Sequence, residues 1–330
     1  MTGSTAQPIA LEKWTAFMAD LCGDDLSANE KTALLSVVND ADINGPMLAA
    51  TAHYLLSRAL PLNIDGIDVC GTGGDKSKNS LKTFNISTAV AFVMAAAGVS
   101  VVKHGNRAVS SFSGSSDVLA ALHVPVCTTA PEAEAQHAAH NLCFVSAPAF
   151  HPALAVLAPI RRALARPTFL NLLGPLCNPA RTKKQLMGVF DLRFLPAVAE
   201  AAKLLGRTDL MAVHSEDGLD EISLSAPTDI YRLHNGSIDN AKVTPEDFGA
   251  VPAPLEKLAG GSSEQNAAII HAVFSGTPGP LLDVICVNAA AGFVTNGTAP
   301  DFKTGMSLAR DTVKSGAALR KLKAMKEHTA

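Results

Sequence analysis

The sequence comprises 330 residues with a formal net charge of −3, 48% hydrophobic residues and 17% charged residues. This length is typical of about two domains, and the apolar content is sufficient for a packed core, which excludes a disordered chain. The slightly acidic balance argues against a protein whose main task is to bind nucleic acid, because such proteins usually carry a basic surplus.

Residues 9–60 are predicted to form three helices. Apolar side chains at helical spacing indicate the first helix, which a glycine and aspartate cluster ends near residue 23. Ser27 followed by Glu30 predicts a capping box at the start of the second helix. A third helix is expected over residues 47–60, and a proline directly after it ends this helical part.

Beyond residue 66, short apolar strands alternate with polar loops and helices, which predicts βα units and a mainly parallel sheet. The predicted strands cover residues 66–70, 99–103, 142–146, 210–214 and 230–233, and the predicted helices cover 88–97, 117–122 and most of 253–328. Prolines cut residues 150–190 into short pieces. We therefore predict an α/β fold with a small all-helical domain, residues 1–65 completed by part of 165–190, and a larger α/β domain, residues 66–330.

The chain is predicted to be cytoplasmic. Residues 1–10 contain no basic segment followed by an apolar stretch, so we expect no signal peptide. The most apolar run, residues 89–102, is shorter than the ~20 residues that a membrane-spanning helix needs. The six cysteines are scattered without zinc-finger spacing, and we expect them to be reduced thiols, mostly buried.

Two polar segments are suited to hold phosphate. Residues 71–75 (GTGGD) follow the first strand, and their glycines allow backbone N–H groups to approach an anion closely. Residues 85–88 (NIST) begin the next helix, where free N–H groups and the helix dipole favour an anion. Taken singly, an ordinary tight turn and a plain helix cap explain these segments equally well. The glycine spacing excludes a GxGxxG fingerprint and a Walker A loop.

Three charged segments complete a possible site. Residues 103–107 (KHGNR), followed by a serine-rich loop, combine two cations with hydroxyls and suit a diphosphate. Residues 217–221 (DGLDE) offer adjacent carboxylates of the kind that bind Mg²⁺ together with phosphate. Arg161, the first of two consecutive arginines, could pair with a small carboxylate substrate. A solvated surface position is the common alternative for each of these segments.

In this order along one chain, the segments resemble the anthranilate phosphoribosyltransferase family from about residue 10 onward. The resemblance is carried by GTGGD, NIST, KHGNR, GSSD in place of the usual GSAD, HPA, NLLGPLCNPA and DGLDE. It implies a nucleoside phosphorylase/phosphoribosyltransferase-like fold and a homodimer formed through the helical part. It also implies Mg²⁺-dependent transfer of the phosphoribosyl group from phosphoribosyl pyrophosphate (PRPP) to anthranilate in tryptophan biosynthesis.

The resemblance assigns the site residues position by position. PRPP would be bound by Gly71, Gly74, Asp75, Thr83, Asn85, Ile86, Ser87, Thr88, Lys103, His104, Gly105, Asn106, Arg107, Ala108, Val109, Ser110, Ser111 and Ser115. Anthranilate would be bound by Gly71, Asn106 and Arg161, and Mg²⁺ by Ser87, Asp220 and Glu221. The catalytic residues would be Asp75, Lys103, His104 and Asn106.

Two departures from the family pattern affect this assignment. The loop over residues 76–82 is a few residues longer than in the family, so pyrophosphate contacts there cannot be transferred. Leu154 and Ala155 replace the Met-Arg pair expected after HPA, which could alter the entry path of anthranilate.

Two other functions remain open. A nucleoside phosphorylase of the same broad fold would use phosphate and a pyrimidine nucleoside, although KHGNR together with DGLDE favours the anthranilate branch. A non-catalytic relative could bind nucleic acid through C-terminal cations, which the helix dipole and solubility explain more simply. These cations are Arg310, Lys314, Arg320, Lys321, Lys323 and Lys326.

Overall fold

The computed structural model describes residues 6–73, 81–107, 113–164 and 168–328, without the side chains of residues 6–10, 155 and 161–163. Its helices are α1 (Ala6–Cys22), α2 (Ala28–Ser36), α3 (Gly45–Ser57), α4 (Ile86–Ala96), α5 (Ser115–Ala121), α6 (Ala130–His140), α7 (Ala147–Phe150), α8 (Pro152–Ala155), α9 (Ala158–Leu164), α10 (Leu170–Leu176), α11 (Leu195–Leu204), α12 (Ser263–Phe274), α13 (Pro280–Asn296), α14 (Phe302–Lys314) and α15 (Ala317–Lys326). Its strands are β1 (Ile67–Gly71), β2 (Val101–Gly105), β3 (Leu142–Ser146), β4 (Lys184–Gly188), β5 (Asp209–Ser215), β6 (Thr228–His234) and β7 (Ser237–Val243).

The strands form one seven-stranded sheet in the order β3-β2-β1-β4-β5-β6-β7. The first five strands of the chain pair in parallel, and β6 and β7 continue the sheet as antiparallel strands at one edge. The predicted α/β fold with a mainly parallel sheet is therefore confirmed. Because parallel strands end at the same edge, the loops after β1, β2 and β4 lie close together.

The N-terminal helical region packs on the rest of the chain through α3, which contacts α1, α10 and α11. Ser27 and Glu30 form the predicted capping box at the start of α2. Met18, Leu48 and Leu173 belong to one buried apolar cluster that joins this region to one face of the sheet. The helical region is confirmed, whereas the domain boundary at residue 65 and its completion by residues 165–190 stay predictions.

Small residues let the helices on the other face of the sheet pack closely. The contact between α4 and α13 is lined with alanine, and Gly292 lies against Met94, where a Cβ would approach the sulfur to 2.5 Å. Similarly, a Cβ on Gly305 would lie 2.9 Å from the Ala290 backbone. The core is therefore built from close backbone approach and aliphatic side chains, which explains how a chain with 5% aromatic residues can pack.

Two strands are absent from the sequence-based prediction. Strand β4 begins with two polar residues, and the second of them, Gln185, is fully buried and donates hydrogen bonds to Asp68 and to the Pro175 carbonyl. The edge strand β7 has the sequence SIDNAKV and is exposed at all but its last residue, so it lacks an alternating apolar face. Neither strand shows the periodicity by which strands are recognised.

Within the described ranges, the structure contains no helix that is long and apolar enough to cross a membrane. All six cysteines are unpaired thiols; five are buried, and Cys22 is partly exposed. Burial raises the pKa of Cys127 to about 12.

Replacement of Phe92 by alanine should destabilise the fold strongly. Its ring is fully buried, with ring centroids 5.2 Å from Phe144 and 6.0 Å from Phe274. We expect Phe92→Ala to lower the free energy of unfolding by about 3–5 kcal/mol, because it leaves a cavity in a packed core. Urea denaturation measures this change. Val251→Ala, at a side chain that is 73% exposed, is the control, and equal losses in both variants would contradict the prediction.

Candidate active site

A cavity of about 310 Å³ lies at the carboxyl edge of the parallel strands. The predicted site residues that line it are Gly71, Thr83, Asn85, Ile86, Ser87, Thr88, Lys103, His104, Gly105, Asn106, Arg107, Ser115, Asp220 and Glu221. These residues come from five segments of the chain: Gly71, residues 83–88, residues 103–107, Ser115 and residues 220–221. The fold thus brings the glycine turn, the start of α4, the cationic segment and the acidic turn together at the edge where α/β folds usually bind ligands.

The remaining predicted site residues cannot be placed in this cavity. Gly74, Asp75, Ala108, Val109, Ser110 and Ser111 lie outside the described residues. Arg161 belongs to α9, but its side chain is also outside the part of the chain that the structure describes. Their roles stay predictions.

The acidic turn lies directly over the ends of two neighbouring strands. Gly71 and Gly188 are paired at the carboxyl ends of β1 and β4. A Cβ on Gly188 would lie 1.6 Å from the backbone oxygen of Asp220, and a Cβ on Gly71 would lie 2.4 Å from its Oδ2. Oδ2 also accepts a hydrogen bond of 2.9 Å from the N–H of Gly73, whose φ of +61° is left-handed. Glycine at these positions therefore sets the place of the carboxylate.

Two buried polar side chains hold the acidic turn from behind. Asp217 is 3% exposed and accepts hydrogen bonds from the hydroxyls of Ser223 and Ser225. Asn288 on α13 accepts from the N–H of Ile222 and donates to its carbonyl, both at 2.9 Å. The first carboxylate of the DGLDE segment is thus structural, whereas the two later carboxylates line the cavity.

Lys103 places a buried positive charge beside the cavity. The side chain is 3% exposed, and its Nζ donates to the Val69 carbonyl at 2.5 Å and to Ser87 Oγ at 3.1 Å. Burial raises the pKa of the nearby Asp68, and the charge of Lys103 opposes this rise. Because few water molecules surround a buried ammonium, its field acts more strongly on an anion in the cavity than that of a surface lysine.

His104 is a neutral imidazole that contacts α10. Its Nδ1 lies 3.2 Å from the carbonyl oxygen of Gly174, and since a carbonyl only accepts, Nδ1 carries the proton. Burial, and secondarily His151, whose ring centroid is 5.2 Å away, lower the pKa of His104 to about 3. The side chain therefore adds no positive charge for a diphosphate and instead joins β2 to α10. A role in catalysis stays a prediction.

Hydrogen bonds among three loops form another wall of the cavity. Asn85 precedes α4 at the cap position, but its side chain does not cap the helix. Instead it donates to the Ser113 carbonyl at 3.1 Å and accepts from Asn266 of α12 at 3.0 Å. Asn266 in turn accepts from the N–H of Gly261 at 2.8 Å. The Asn85 side chain is therefore used to hold the wall together. The Ser87 and Thr88 hydroxyls, which follow it in the sequence, line the cavity.

The start of α4 offers an unsatisfied hydroxyl to the cavity. Thr88 is 1% exposed, and its Oγ1 is buried without a hydrogen-bond partner among the described residues. Ile86 also lines the cavity, but its side chain is part of the apolar core, so only its backbone is available to a polar ligand. A buried hydroxyl without a partner is unusual in a native protein and is consistent with a missing polar ligand.

The loop after β2 is held against the start of α5. The Asn106 carbonyl accepts a hydrogen bond of 3.1 Å from Ser115 Oγ. Gly105 permits this contact, because a Cβ there would lie 2.2 Å from the same hydroxyl. Asn106 and Arg107 are exposed at the cavity.

Residues of α7, α8 and α10 line the cavity but were not assigned to the site from the sequence. They are Ala147, Leu154, Leu170, Asn171, Gly174 and Pro175, and all except Asn171 present apolar surface or backbone. The motifs HPA and NLLGPLCNPA, which belong to this region, contribute to the family resemblance but do not by themselves assign a binding role to these residues. Leu154, which departs from the family pattern, lies at the cavity.

The C-terminal cations are partly used within the fold. Arg310 forms an ion pair of 2.9 Å with Asp283. Arg320 donates to the Ser315 carbonyl at 2.9 Å, and Lys321 donates to the His140 carbonyl at 2.7 Å. Half of the six cations thus have internal partners, which weakens the nucleic-acid hypothesis.

The fold and the cavity define a glycosyl transferase, since residues 63–319 match the family described as "Glycosyl transferase family, a/b domain". An anthranilate phosphoribosyltransferase from Desulfatibacillum aliphaticivorans is 39% identical over 327 residues, which cover 93% of this chain and 96% of the relative. The enzyme of that name from Thermus thermophilus matches in structure with a TM-score of 0.86 at 36% identity, over 97% of this chain and 94% of the other. The Saccharomyces cerevisiae enzyme in complex with PRPP and Mg matches with a TM-score of 0.84 at 26% identity, over 97% and 92%. The chain belongs to the anthranilate phosphoribosyltransferase family.

The neutral state of His104 predicts a pH dependence of stability. Between its ordinary pKa of 6.5 and the lowered value of about 3, the unfolded chain binds a proton at this position and the folded protein does not. The free energy of unfolding therefore falls as the pH falls through this range, by up to about 1.4 kcal/mol per pH unit for one such group. Urea denaturation should show a shallower fall for His104→Gln than for the unmodified protein. Parallel curves for both would contradict the prediction.

Proposed function

We propose that this cavity binds PRPP and anthranilate, and that its side chains direct transfer of the phosphoribosyl group to the amine, giving N-(5-phosphoribosyl)anthranilate and pyrophosphate. Family membership gives the activity, that of an anthranilate phosphoribosyltransferase in tryptophan biosynthesis. The assignment of binding residues rests on one observation: cationic, hydroxyl and carboxylate side chains line the same cavity. The direct test follows anthranilate fluorescence in the presence of PRPP and Mg²⁺.

The acidic turn suits a magnesium ion that is completed by its substrate. Asp220, Glu221 and Ser87 supply oxygen ligands, which Mg²⁺ prefers. In the described part of the chain, no group of three or more His, Cys, Asp or Glu side chains forms a metal cage. This arrangement fits Mg²⁺, which usually binds one or two carboxylates and keeps waters and phosphate oxygens as its other ligands. When bound, the ion would neutralise charge that develops on the pyrophosphate.

The diphosphate would lie between the glycine turn and the start of α4. The Thr88 hydroxyl there has no hydrogen-bond partner among the residues that the structure describes, and Lys103 contributes a buried charge next to the Ser87 hydroxyl. The N-terminal end of α4 adds its dipole and its free N–H groups. Arg107 and Lys82 line the same cavity at its rim. Together these groups favour the leaving pyrophosphate as negative charge accumulates on it.

The aromatic ring of anthranilate would lie against the apolar side of the cavity. Leu154, Leu170 and Pro175 offer a surface suited to an aromatic ring. Asn106, exposed at the cavity, could hold the substrate through its amide, and Arg161 of α9 is the proposed partner of the carboxylate. The amine would then face the C1′ atom of PRPP.

Positioning is proposed to supply much of the rate. The C1′–O bond of PRPP breaks as the amine attacks the opposite face, so that the sugar centre inverts. A strong general base is unnecessary, because the amine loses its proton after the new bond has formed. The neutral His104, fixed to the Gly174 carbonyl, keeps α10 in place rather than receiving this proton. When both substrates are bound with the amine facing C1′, the reaction proceeds as a unimolecular step and its rate increases strongly.

The assembly of the chain is likewise a proposal. The family resemblance implies a homodimer formed through the helical part, which comprises α1 to α3 and the helices packed on them. Sedimentation at equilibrium would give the mass of the particle in solution, and a monomer would contradict this proposal.

Neutralising both metal carboxylates should abolish most of the activity. The double variant Asp220→Asn, Glu221→Gln keeps the size of both side chains and the turn that Asn288 holds. We expect kcat/KM to fall by about 100-fold or more and the Mg²⁺ concentration for half-maximal rate to rise, because the metal loses its anionic ligands. Asp239→Asn, on the exposed edge strand β7, is the matched control. An unchanged magnesium dependence would refute the metal assignment.

Removing Arg161 should affect one substrate only. We expect Arg161→Ala to raise KM for anthranilate by about tenfold or more while KM for PRPP changes little, because a bidentate carboxylate contact is lost. Initial rates measured with each substrate varied in turn separate the two constants. Arg162→Ala, the adjacent arginine on α9, serves as the comparison. Equal increases in both KM values would rule out this role for Arg161.

A further inference from the structure

The N-terminal end of α4 is uncapped, although the residue before the helix is of a type suited to cap it. Asparagine at the cap position ordinarily accepts a hydrogen bond from the N–H of the second or third helical residue. After Asn85 these are Ser87 and Thr88, and neither N–H is hydrogen-bonded to a residue that the structure describes. The buried Thr88 hydroxyl likewise has no partner among them. The segment of α4 that lines the active-site cavity therefore retains donors for a ligand.

The Asn85 side chain is held by Asn266, the fourth residue of α12. Asn266 is 2% exposed, and its Nδ2 donates to Asn85 Oδ1 at 3.0 Å. Its Oδ1 accepts from the N–H of Gly261 at 2.8 Å. Asn85 in turn donates from Nδ2 to the Ser113 carbonyl at 3.1 Å. One chain of hydrogen bonds thus runs from Gly261 through two amide side chains to Ser113.

Backbone groups at both ends fix the direction of this chain. The N–H of Gly261 can only donate and the Ser113 carbonyl can only accept, so each amide must turn its oxygen towards Gly261 and its nitrogen towards Ser113. The Asn85 oxygen is the only atom of that side chain that could cap α4. It accepts from Asn266 and, at 3.3 Å, from the Ser113 hydroxyl. Both lone pairs are therefore in use, and loss of Asn266 would free one of them.

Stabilisation of α12 does not account for Asn266. This helix has its own capping box, in which Ser262 Oγ accepts from the N–H of Gln265 and Gln265 Oε1 accepts from the N–H of Ser262. Asn266 and Gly261 line the active-site cavity, whereas Ser262 does not. The Asn266 amide thus connects α12 to the start of α4 at the cavity itself.

We propose that Asn266 is a positioning residue for the diphosphate of PRPP, an inference that rests on the proposed binding of PRPP at this cavity. By holding the Asn85 oxygen, Asn266 prevents that oxygen from capping α4 and keeps the N–H groups of Ser87 and Thr88 free for the anion. Without Asn266, the Asn85 side chain would turn to the helix and compete with phosphate for the same donors. Asn266 would therefore determine the affinity for PRPP through Asn85, without contacting the reacting atoms.

Asn266→Leu tests the proposal, because leucine keeps the shape of the side chain and removes both amide hydrogen bonds. Isothermal titration of the full-length protein with PRPP and Mg²⁺ should show a Kd that rises by about fivefold or more, since a new asparagine cap competes with the ligand. KM for PRPP should rise with it, whereas kcat and KM for anthranilate should change little. Asn266→Ala repeats the measurement if the leucine variant does not fold. An unchanged Kd for PRPP, or equal increases in both KM values, would overturn the proposal.

A double-mutant cycle shows whether Asn266 acts through Asn85. In a protein that already carries Asn85→Ala, no side chain is left to cap α4, so Asn266→Leu should change the Kd for PRPP by less than about twofold. The same loss of affinity in both backgrounds would show that Asn266 acts independently of Asn85 and would reject the proposal.

Ser262→Ala separates positioning from a general loosening of α12. It removes the cap of α12 and should lower the free energy of unfolding, but it should leave the Kd for PRPP unchanged. An increase in Kd equal to that of Asn266→Leu would attribute the effect to the stability of α12 and reject the proposal. Failure of the unmodified protein to bind PRPP would refute the proposed function as well, whereas normal binding by both the unmodified protein and Asn266→Leu would refute only the role of Asn266.

Discussion

The buried ammonium of Lys103 is the interaction on which the active-site region depends. It donates to the Val69 carbonyl on β1 and to Ser87 at the start of α4, so that one charge on β2 connects three elements. A buried cation must be surrounded by acceptors, and Asp68 lies near enough for the charge of Lys103 to oppose the rise of its pKa. The need to surround the Lys103 ammonium with acceptors therefore positions β1 and the start of α4 at the cavity. The apolar core packs behind these elements.

The end of α10 is held by a row of buried side chains. Four consecutive carbonyl oxygens accept hydrogen bonds: Gly174 from His104, Pro175 from Gln185, Leu176 from Arg207 and Cys177 from His151. The last carbonyls of a helix lack partners within the helix, so polar side chains from neighbouring elements must supply them. Since α10 lines the active-site cavity and also packs on α3, its position links the candidate active site to the helical region.

The sequence predicted the elements whose patterns are local. Strands β3 and β5 contain continuous apolar runs, β1 is apolar except for Asp68, and the capping box of α2 is visible in two residues. Strand β4 was missed because Gln185 is buried through partners distant in the chain, which no local pattern records.

The same limit applies to the candidate site. The motifs predicted groups that bind phosphate and metal. Because the sheet was predicted to be mainly parallel, these motifs were expected at the same carboxyl edge of the strands. The structural role of Asp217, the neutral state of His104 and the cavity wall formed by α10 depend on tertiary contacts, so they required the structure. Gly188 shows the point most clearly, because its importance arises from the Asp220 backbone packed on it.

The paired glycines at the ends of β1 and β4 have a consequence for how this scaffold can change. The backbone of the acidic turn packs on Gly188 and the Asp220 carboxylate packs on Gly71, so the absence of a side chain at these two positions sets how close the turn lies to the sheet. A substitution at Gly188 moves the backbone of the turn and one at Gly71 displaces the Asp220 carboxylate, whereas substitutions on the turn itself leave its backbone in place. The side chains of the turn can therefore change independently of its depth, which the two strands determine.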